Sequence, residues 1–268
     1  FLDHMRSVGC DPHDASAVIA DDKRRRYRLA DDKPKTLNGC YQLRVEGDGF
    51  AFGWCKNWRE GQTHSWHVKT ARKASAEEKA AWKAKAVLAR QERDRVEAET
   101  WAAAAVRAKK LWAKCDKTGE AGYLARKGCK AHGTRIARGL VVVPVYGAAG
   151  IMSLQFIAED GAKRFLKDSQ LAGGYFPIAD KGETIDRLVI CEGFATGAAL
   201  RDALVWPVVC AFNAGNLVPV AKAMREKYPE ARIVIGADSD QWTEVNGKPV
   251  HPGINLAQQA AVGIGGCQ

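Results

Sequence analysis

Three carboxylates in the C-terminal third of the chain have types and spacing suited to metal-assisted chemistry. Glu192 follows the apolar run LVIC, and Asp238 and Asp240 follow the run RIVIGA. Carboxylates brought together repel one another, so their convergence calls for a hard cation that prefers oxygen ligands, such as Mg²⁺ or Mn²⁺. Such ions stabilise the charge that develops when a phosphate is transferred. The three acids therefore predict a site for a divalent metal ion.

The elements around these acids predict how they could meet. Residues 188–262 alternate between short apolar runs and helix-forming runs, which is typical of a parallel sheet covered on both faces. The predicted strands are Leu188–Cys191, Val208–Ala211 and Arg232–Ala237, and the predicted helices are Ala195–Leu204, Leu217–Tyr228 and Ile254–Val262. Ligands on such sheets bind beyond the carboxyl ends of the strands, where Glu192 and Asp238 would converge. Either acid alone would be better explained as a helix cap or a loop residue, but both at equivalent strand ends favour a site.

A second set of strands precedes this region. The β-branched run Gly139–Tyr146 contains Pro144, which predicts an edge strand or a bulge. A turn leads to a strand at Ile151–Ile157, and another turn leads to a third strand at residues 163–167. On that third strand, Lys163, Phe165 and Lys167 would share one face and Arg164 would lie on the other.

Positive charge is concentrated in the middle of the chain. Residues 69–138 hold 19 Lys and Arg against 8 Asp and Glu, whereas residues 1–68 carry a net charge of +1 and residues 139–268 a net charge of −2. Residues 75–115 predict one long helix, opened by a capping box at Ser75 and Glu78. The charge indicates either a contact with a polyanion or a solvated helix face, and charge alone does not separate the two.

The N-terminal region reads as a small β-rich unit. Residues 41–45 and 50–54 flank a Gly-Asp-Gly turn, which predicts a hairpin. Trp54, Trp58 and Trp66 lie among basic residues, an arrangement that can stack nucleic-acid bases. Packing in the core of a small sheet is the interpretation we favour for these tryptophans.

Targeting and metal motifs are sparse. No apolar stretch approaches the roughly 20 residues that span a bilayer, and no secretory leader is visible, so we expect no membrane association. The eight cysteines include no CxxC pair, which favours reduced thiols. Cys10 with His13, and His64 with His67, have ligand-like spacing but no matching second pair, so zinc is not expected.

The order of these features resembles a known family. A strand ending in Glu192-Gly193, a helix, a strand, a helix and a strand ending in Asp238-Ser239-Asp240 is similar to the TOPRIM fold of bacterial (DnaG-like) primases and of topoisomerases. The segment from Tyr123 to Phe176 resembles the basic subdomain that precedes TOPRIM in the primases of plasmids and phages. The paired cysteines of the zinc ribbon found in many bacterial primases are not seen, and residues 242–252 form an insertion.

The resemblance implies a fold class and a division into domains. The expected class is α/β (α+β overall), with a TOPRIM-like parallel sheet and flanking helices behind a basic mixed subdomain. The expected divisions are a β-rich region at 1–70, a long basic helix at 71–118, a primase-core subdomain at 119–180 and a TOPRIM-like domain at 181–268. Since family members continue with another strand, the last domain is expected to extend beyond Gln268.

The resemblance also implies an activity and its residues. A primase joins ribonucleoside triphosphates on a single-stranded DNA template, with two-metal chemistry. Asp238 and Asp240 would hold Mg²⁺ or Mn²⁺, and Glu192 would bind metal or act as a general acid or base. Contacts with nucleotide or template are assigned to a further set of residues. This set is Lys163, Arg164, Lys167, Gly193 and Asn213. For Asn213, and for the nearby Asn216, helix capping is the simpler role.

Other functions remain open at this stage. A TOPRIM-type nuclease would use the same acids, although it normally follows an ATPase and no GxxxxGK[ST] motif occurs. A non-catalytic single-strand-binding factor of replication or recombination would use the basic middle of the chain without metals. For a primase we expect a cytoplasmic location in a bacterial cell, plasmid or phage coding, and a replicative helicase as partner or fused module.

Overall fold

Strand-forming and helix-forming segments fold into two units in the computed structural model, Phe1–Ala86 and Val87–Gln268. The structure describes residues 1–45, 50–58, 62–68, 76–238, 244–245, 248–249 and 252–265. The mixed α/β class expected from the sequence is confirmed. None of the helices in these ranges is long and apolar enough to cross a membrane.

The first unit is a four-stranded antiparallel sheet with a short helix. Its elements are α1 (Leu2–Ser7), β1 (Arg25–Tyr27), β2 (Gly39–Val45), β3 (Ala51–Asn57) and β4 (Thr63–His67). The strands lie in the order β1-β2-β3-β4. The predicted hairpin is confirmed as the pairing of β2 with β3, from Val45 opposite Ala51 to Gly39 opposite Asn57, while its turn lies outside the described residues.

One face of this sheet carries the core of the unit. Tyr27, Tyr41 and Cys55 are buried against residues of the N-terminal segment, among them Met5 and Cys10. Because side chains alternate between faces along a strand, the residues between these point to the opposite face. Only one of the three tryptophans expected in the core meets a member of this cluster: the Trp66 ring lies 5.3 Å from the ring of Phe1.

Trp54 and Trp58 depart from the core packing that we favoured. Trp54 pairs with Gln42, on the face opposite Tyr41 and Cys55. Trp58 is 42% exposed. The sequence pattern around them did not separate the two faces, because aromatic residues occur on both.

The second unit contains the remaining elements, with helix α2 beginning in the first unit and ending in the second. They are α2 (Ala76–Lys114), α3 (Gly122–Lys127), β5 (Arg135–Ala137), β6 (Leu140–Gly147), β7 (Gly150–Ile157), β8 (Lys163–Phe165), β9 (Phe176–Ile178), β10 (Arg187–Cys191), α4 (Phe194–Leu204), β11 (Val208–Cys210), α5 (Leu217–Lys227), β12 (Arg232–Gly236), β13 (Glu244–Val245), β14 (Lys248–Pro249) and α6 (Pro252–Gly263). The long helix and the final helix agree with the sequence prediction to within two residues.

Strands β5 to β8 form an antiparallel meander in sequence order. On one face, Val142 and Leu154 pack against Ala108 of α2. On the other face, alternate residues of β6 belong to the main core of the unit. Pro144 lies in an interior strand rather than an edge strand, but β5 ends its pairing at Val142 and a bulge follows between Val145 and Tyr146. Because Pro144 lies beyond this pairing, its lack of an N–H group removes no backbone hydrogen bond between β6 and β5.

The second sheet of the unit has the order β12-β10-β11-β9. Strands β10, β11 and β12 run parallel, and β9 runs antiparallel at the edge. Val189, Cys191, Val208 and Cys210 face α4 and the meander. The residues between them face α5 and α6, which cover the other side of the sheet.

Helix α4 lies very close to this sheet at Gly197. A Cβ atom at this position would stand 2.5 Å from Sγ of Cys210 and 3.1 Å from Sγ of Cys191. Both thiols are fully buried, so they have little room to move. The absence of a side chain at Gly197 therefore sets the distance between α4 and the two central strands.

We predict that Gly197→Val lowers the free energy of unfolding by at least about 2 kcal/mol, because the added methyl groups would overpack this contact. Urea denaturation of the whole chain measures the change. Ala199→Val is the matched control, since it introduces the same side chain on the exposed side of α4 and should cost less than about 0.7 kcal/mol. Equal costs for the two variants would contradict the packing argument.

Candidate active site at the carboxyl edge of the parallel sheet

The edge that holds Glu192 is defined by the register of three parallel strands. Cys191 at the end of β10 pairs with Cys210 of β11 and with Gly236 of β12. Glu192 comes one residue after this row, and Asp238 comes two residues after Gly236. The two acids therefore follow adjacent strands at the same edge, as the sequence predicted. Asp240, the third acid, lies outside the described residues.

The connections that leave this edge lie on opposite faces of the sheet. Helix α4 follows β10 on one face, whereas α5 follows β11 on the other face. Ligands of open α/β sheets bind at the carboxyl ends of neighbouring strands whose connections leave to opposite faces. The ends of β10 and β11 form such a point, and Oε1 of Glu192 is shielded from solvent there.

Gly193 links Glu192 to α4. It has φ −104° and ψ 152° and serves as the N-cap of the helix, so its backbone is extended. Its carbonyl accepts the N–H of Gly197 at 2.9 Å. A Cβ atom at Gly193 would stand 3.6 Å from Nζ of Lys163, which is an ordinary van der Waals distance, so neither space nor backbone conformation requires glycine here.

Lys163 is brought to this edge by the meander. It opens β8 opposite Ile157, and its ammonium group lies beside Gly193. Lys163 also affects the thiol of Cys210. A hydrogen bond with Cys191 and burial raise the pKa of Cys210 well above its ordinary value, while the positive charge of Lys163 lowers it. A cation therefore stands close to the strand end that carries Glu192, where an anionic phosphate could be held.

The other two basic residues of this segment occupy different positions from Lys163. Arg164 pairs with Phe156, on the face of the meander opposite Lys163 and Phe165. Lys167 lies beyond the end of β8, and its carbonyl accepts a hydrogen bond from Nη2 of Arg107 at 2.8 Å. Both side chains are exposed, and their predicted contacts with nucleotide or template stay predictions.

The loop after β11 contributes polar groups beside this edge. Asn213 is exposed, and its Oδ1 accepts the N–H of Asn216 at 3.1 Å, which is the capping role expected as the simpler one. Asn216 is 4% exposed, and its side-chain amide forms hydrogen bonds with backbone groups. Its Oδ1 accepts the N–H of Gly173 at 2.7 Å, and its Nδ2 donates to the carbonyls of Gly174 and Ala211 at 2.7 and 2.8 Å.

Phe212, between β11 and Asn213, was not singled out by the sequence. Its φ of 72° lies in the left-handed region, which costs a bulky residue of order 1–3 kcal/mol. The Phe165 ring packs edge-on against the Phe212 ring at 5.8 Å between centroids. This contact joins β8, which carries Lys163, to the end of β11, and no sequence pattern could have revealed it.

A buried ion pair holds α4 in place behind the site. The Arg201 guanidinium, on a residue 8% exposed, donates to Glu183 at 2.9 Å and to Asp180 at 2.8 Å. It also donates to the carbonyl of Val205 at 3.1 Å. The hydrogen bond from Arg201 lowers the pKa of Glu183. The segment before β10 is thereby tied to the helix that begins at Gly193.

The donor set can be compared with the divalent cation expected from the sequence. Glu192 and Asp238 supply carboxylate oxygens at one edge, and such ligands suit Mg²⁺ or Mn²⁺. Among the described residues no three His, Cys, Asp or Glu side chains come together as a metal-binding group. With Asp240 outside those residues, the predicted trio of ligands stays a prediction.

The structure thus shows an α/β protein in which Glu192 and Asp238 follow adjacent parallel strands at one edge of a sheet, with Lys163 beside Gly193. Over 99% of its length the chain is similar to two curated Escherichia coli proteins named DNA primase TraC, with identities of 33% and 32%. It spans about a quarter of the first and about a fifth of the second. These matches confirm the resemblance to primases of the plasmid type. No family model and no solved structure matches the chain.

We predict that Glu183→Gln destabilises the protein at neutral pH by about 1.5–3 kcal/mol, because a charge-assisted hydrogen bond to Arg201 is weakened. The folded pKa of Glu183 is lowered, so its contribution is complete above the unfolded value of about 4.3 and is lost as the pH falls through the folded pKa. The difference between the two proteins should therefore shrink below about pH 4.3 in urea denaturation curves.

Asp180→Asn is the control for this variant, because the Asp180 side chain contacts the same guanidinium but is 87% exposed. Its effect should stay below about 1 kcal/mol. A constant difference between Glu183→Gln and the unaltered protein from pH 7 to pH 3 would contradict the assignment of this pair.

Proposed function

We propose that this chain is the catalytic segment of a DNA primase, which makes short RNA primers on single-stranded DNA by metal-dependent nucleotidyl transfer. The observation that carries the proposal is that Glu192 and Asp238 follow adjacent parallel strands at one edge, with Lys163 beside Gly193. The similarity to proteins named DNA primase TraC supports it, as does the net positive charge of residues 69–138.

We also propose that the parallel sheet is a TOPRIM domain. Its central strand β10 ends in Glu192-Gly193 and its neighbour β12 ends in Ala237-Asp238, with the intervening strand β11 on the other side of β10. The proposed carboxylates thereby fall on neighbouring strands although 46 positions separate them in sequence. The helices on both faces support the same assignment.

The proposed reaction joins the 3′-hydroxyl of one nucleotide to the α-phosphate of the next. A new P–O bond forms, the bond to pyrophosphate breaks, and the hydroxyl gives its proton to a general base, which would be Glu192 or a water molecule. Glu192, Asp238 and Asp240 would hold Mg²⁺ or Mn²⁺, which when bound neutralises charge on the phosphates. Lys163 would hold phosphate oxygens by charge and hydrogen bonding, and the free N–H groups in the first turn of α4 would do the same.

The proposed substrates are ribonucleoside triphosphates and a single-stranded DNA template. The basic stretch on α2 and α3 would attract the template phosphates. The cytoplasm is the proposed location, because both substrates of priming occur there. A replicative helicase as a partner or fused module stays an expectation from the sequence.

We predict that Asp238→Ala and Glu192→Gln each reduce ribonucleotide incorporation about a hundredfold or more, because charge on the reacting phosphates would lose its compensation. The measurement is incorporation of labelled ribonucleotides on single-stranded template with Mg²⁺ or Mn²⁺. Glu230→Gln is the matched control: it removes an exposed carboxylate just before β12, at the opposite end of the strand that leads to Asp238.

Three outcomes would count against the proposal. If both variants incorporate ribonucleotides at the rate of Glu230→Gln, the acids are not catalytic. If the unaltered chain degrades DNA and makes no primer, the nuclease alternative is supported. If it binds single-stranded DNA and does neither, a non-catalytic replication or recombination factor is supported.

We further predict that Lys163→Ala lowers kcat/KM for ribonucleoside triphosphates about 10- to 100-fold, the value of one charge-assisted contact. Arg164→Ala, one residue along β8 but on the other face, should change it less than about threefold. Steady-state kinetics at varied nucleotide concentration measure both. A larger loss for Arg164→Ala would place the phosphate contact on the wrong face of β8.

A further inference from the structure

The sheet of the first unit has a second face, which the apolar cluster around Tyr27 and Tyr41 does not use and on which Cys40 is fully buried. The register places Arg26, Cys40 and Lys56 in one row across β1, β2 and β3. The next row on that face contains Gln42, Trp54 and Ser65, and the row after it contains Arg44, Phe52 and His67. The sheet residues of the apolar cluster, Tyr27, Tyr41, Leu43 and Cys55, belong to the rows between.

Aromatic rings follow one another along β3 on this second face. Phe52 and Trp54 are two residues apart and half-buried, so their positions are about 6.6 Å apart along the strand. Nε1 of Trp54 donates to Oε1 of Gln42 at 3.1 Å, which orients the indole. Beyond the end of β3, the backbone N–H of Trp58 donates to the carbonyl of Asn38 at 2.9 Å.

Three cations surround the exposed ring of Trp58. Nζ of Lys56 lies 4.2 Å from the ring centroid, and the guanidinium carbons of Arg26 and Arg24 lie at 5.3 and 5.9 Å. Residues 1–68 carry a net charge of only +1, so this positive charge is local. A base that stacks on Trp58 would displace one of these cations from the ring, and the displaced side chain would then be close to the phosphate of that base.

We propose that this face is a binding platform for single-stranded nucleic acid, separate from the acid edge of the second unit. Rings spaced along a strand can each stack an unpaired base, and cations beside them hold the backbone, which together give sequence-tolerant binding. Duplex DNA does not offer its base faces to such a surface. We call this surface the platform, and it consists of Arg24, Arg26, Phe52, Trp54, Lys56 and Trp58.

The platform can be tested by fluorescence anisotropy of a labelled oligodeoxythymidylate with the whole chain. Trp58→Ala should weaken binding about 5- to 100-fold, the range for loss of one stacked base, whereas Trp58→Phe should retain most of it. Trp58→Leu keeps an apolar side chain without an aromatic ring and should bind as weakly as Trp58→Ala. Circular dichroism melting would verify that each variant is folded.

The charges make a separate expectation. Lys56→Gln and Arg26→Gln should each make the negative slope of log affinity against log salt shallower by about 0.7. Arg6→Gln is the matched control, because Arg6 lies on α1 and pairs with Asp3 and Asp11; it should leave the slope unchanged. Glu230→Gln removes an exposed carboxylate of the second unit outside the proposed catalytic residues, and it should bind the oligonucleotide as tightly as the unaltered chain.

Photocrosslinking locates the contact directly. An oligonucleotide carrying 5-iododeoxyuridine should crosslink to peptides containing Phe52, Trp54 or Trp58. A deoxythymidylate and a ribouridylate strand compared side by side would assign the platform to template or primer, according to which binds more tightly. Unchanged affinity in folded Trp58→Ala and Trp58→Leu, or duplex DNA binding as tightly as single strands, would overturn the proposal.

Discussion

Parallel pairing of β10 with both β11 and β12 is the constraint on which the candidate site depends. Backbone N–H and C=O groups buried under helices must find partners, and the neighbouring strands supply them. With β10 in the centre, the chain must cross behind it to reach β12, and the crossing helix α5 covers the face opposite α4. Glu192 and Asp238 then follow adjacent strands at one edge, where opposing connections leave room for a ligand.

The cation beside these acids comes from a different sheet, so its position depends on packing between layers. The main core of the unit joins the meander, α4 and the parallel sheet into one apolar cluster. Three specific contacts fix how these elements are oriented against one another. They are the contacts of Asn216 with the Gly173–Gly174 backbone, of Phe165 with Phe212, and of Arg201 with Glu183. Chemistry at the edge and stability behind it are therefore linked through the same helix and loops.

Side chains of the small N-terminal sheet alternate between two faces that differ in composition. Tyrosine and cysteine side chains on one face meet the N-terminal segment, while the rows between carry aromatic and basic residues. Burial of one face stabilises the sheet and fixes the strands that carry the other face. A platform for unpaired bases needs that rigidity, because stacking on a ring is lost when the ring can turn away.

The sequence by itself determined the elements and the edge. Alternating, apolar and helical patterns located β2, β3, β6 to β8, the three parallel strands, the long α2 and the helices around the parallel sheet, but not β1, β4, β5 or β9. Runs ending in Glu192 and Asp238 indicated one edge, because parallel strands end on the same side. Which basic residue reaches that edge was decided by tertiary structure: Lys163 lies beside Gly193, while Arg164 lies on the other face of β8. The left-handed Phe212, the buried Arg201 pair and the separation of the tryptophans onto two faces likewise follow from contacts between residues distant in sequence, and local patterns carry no record of such contacts.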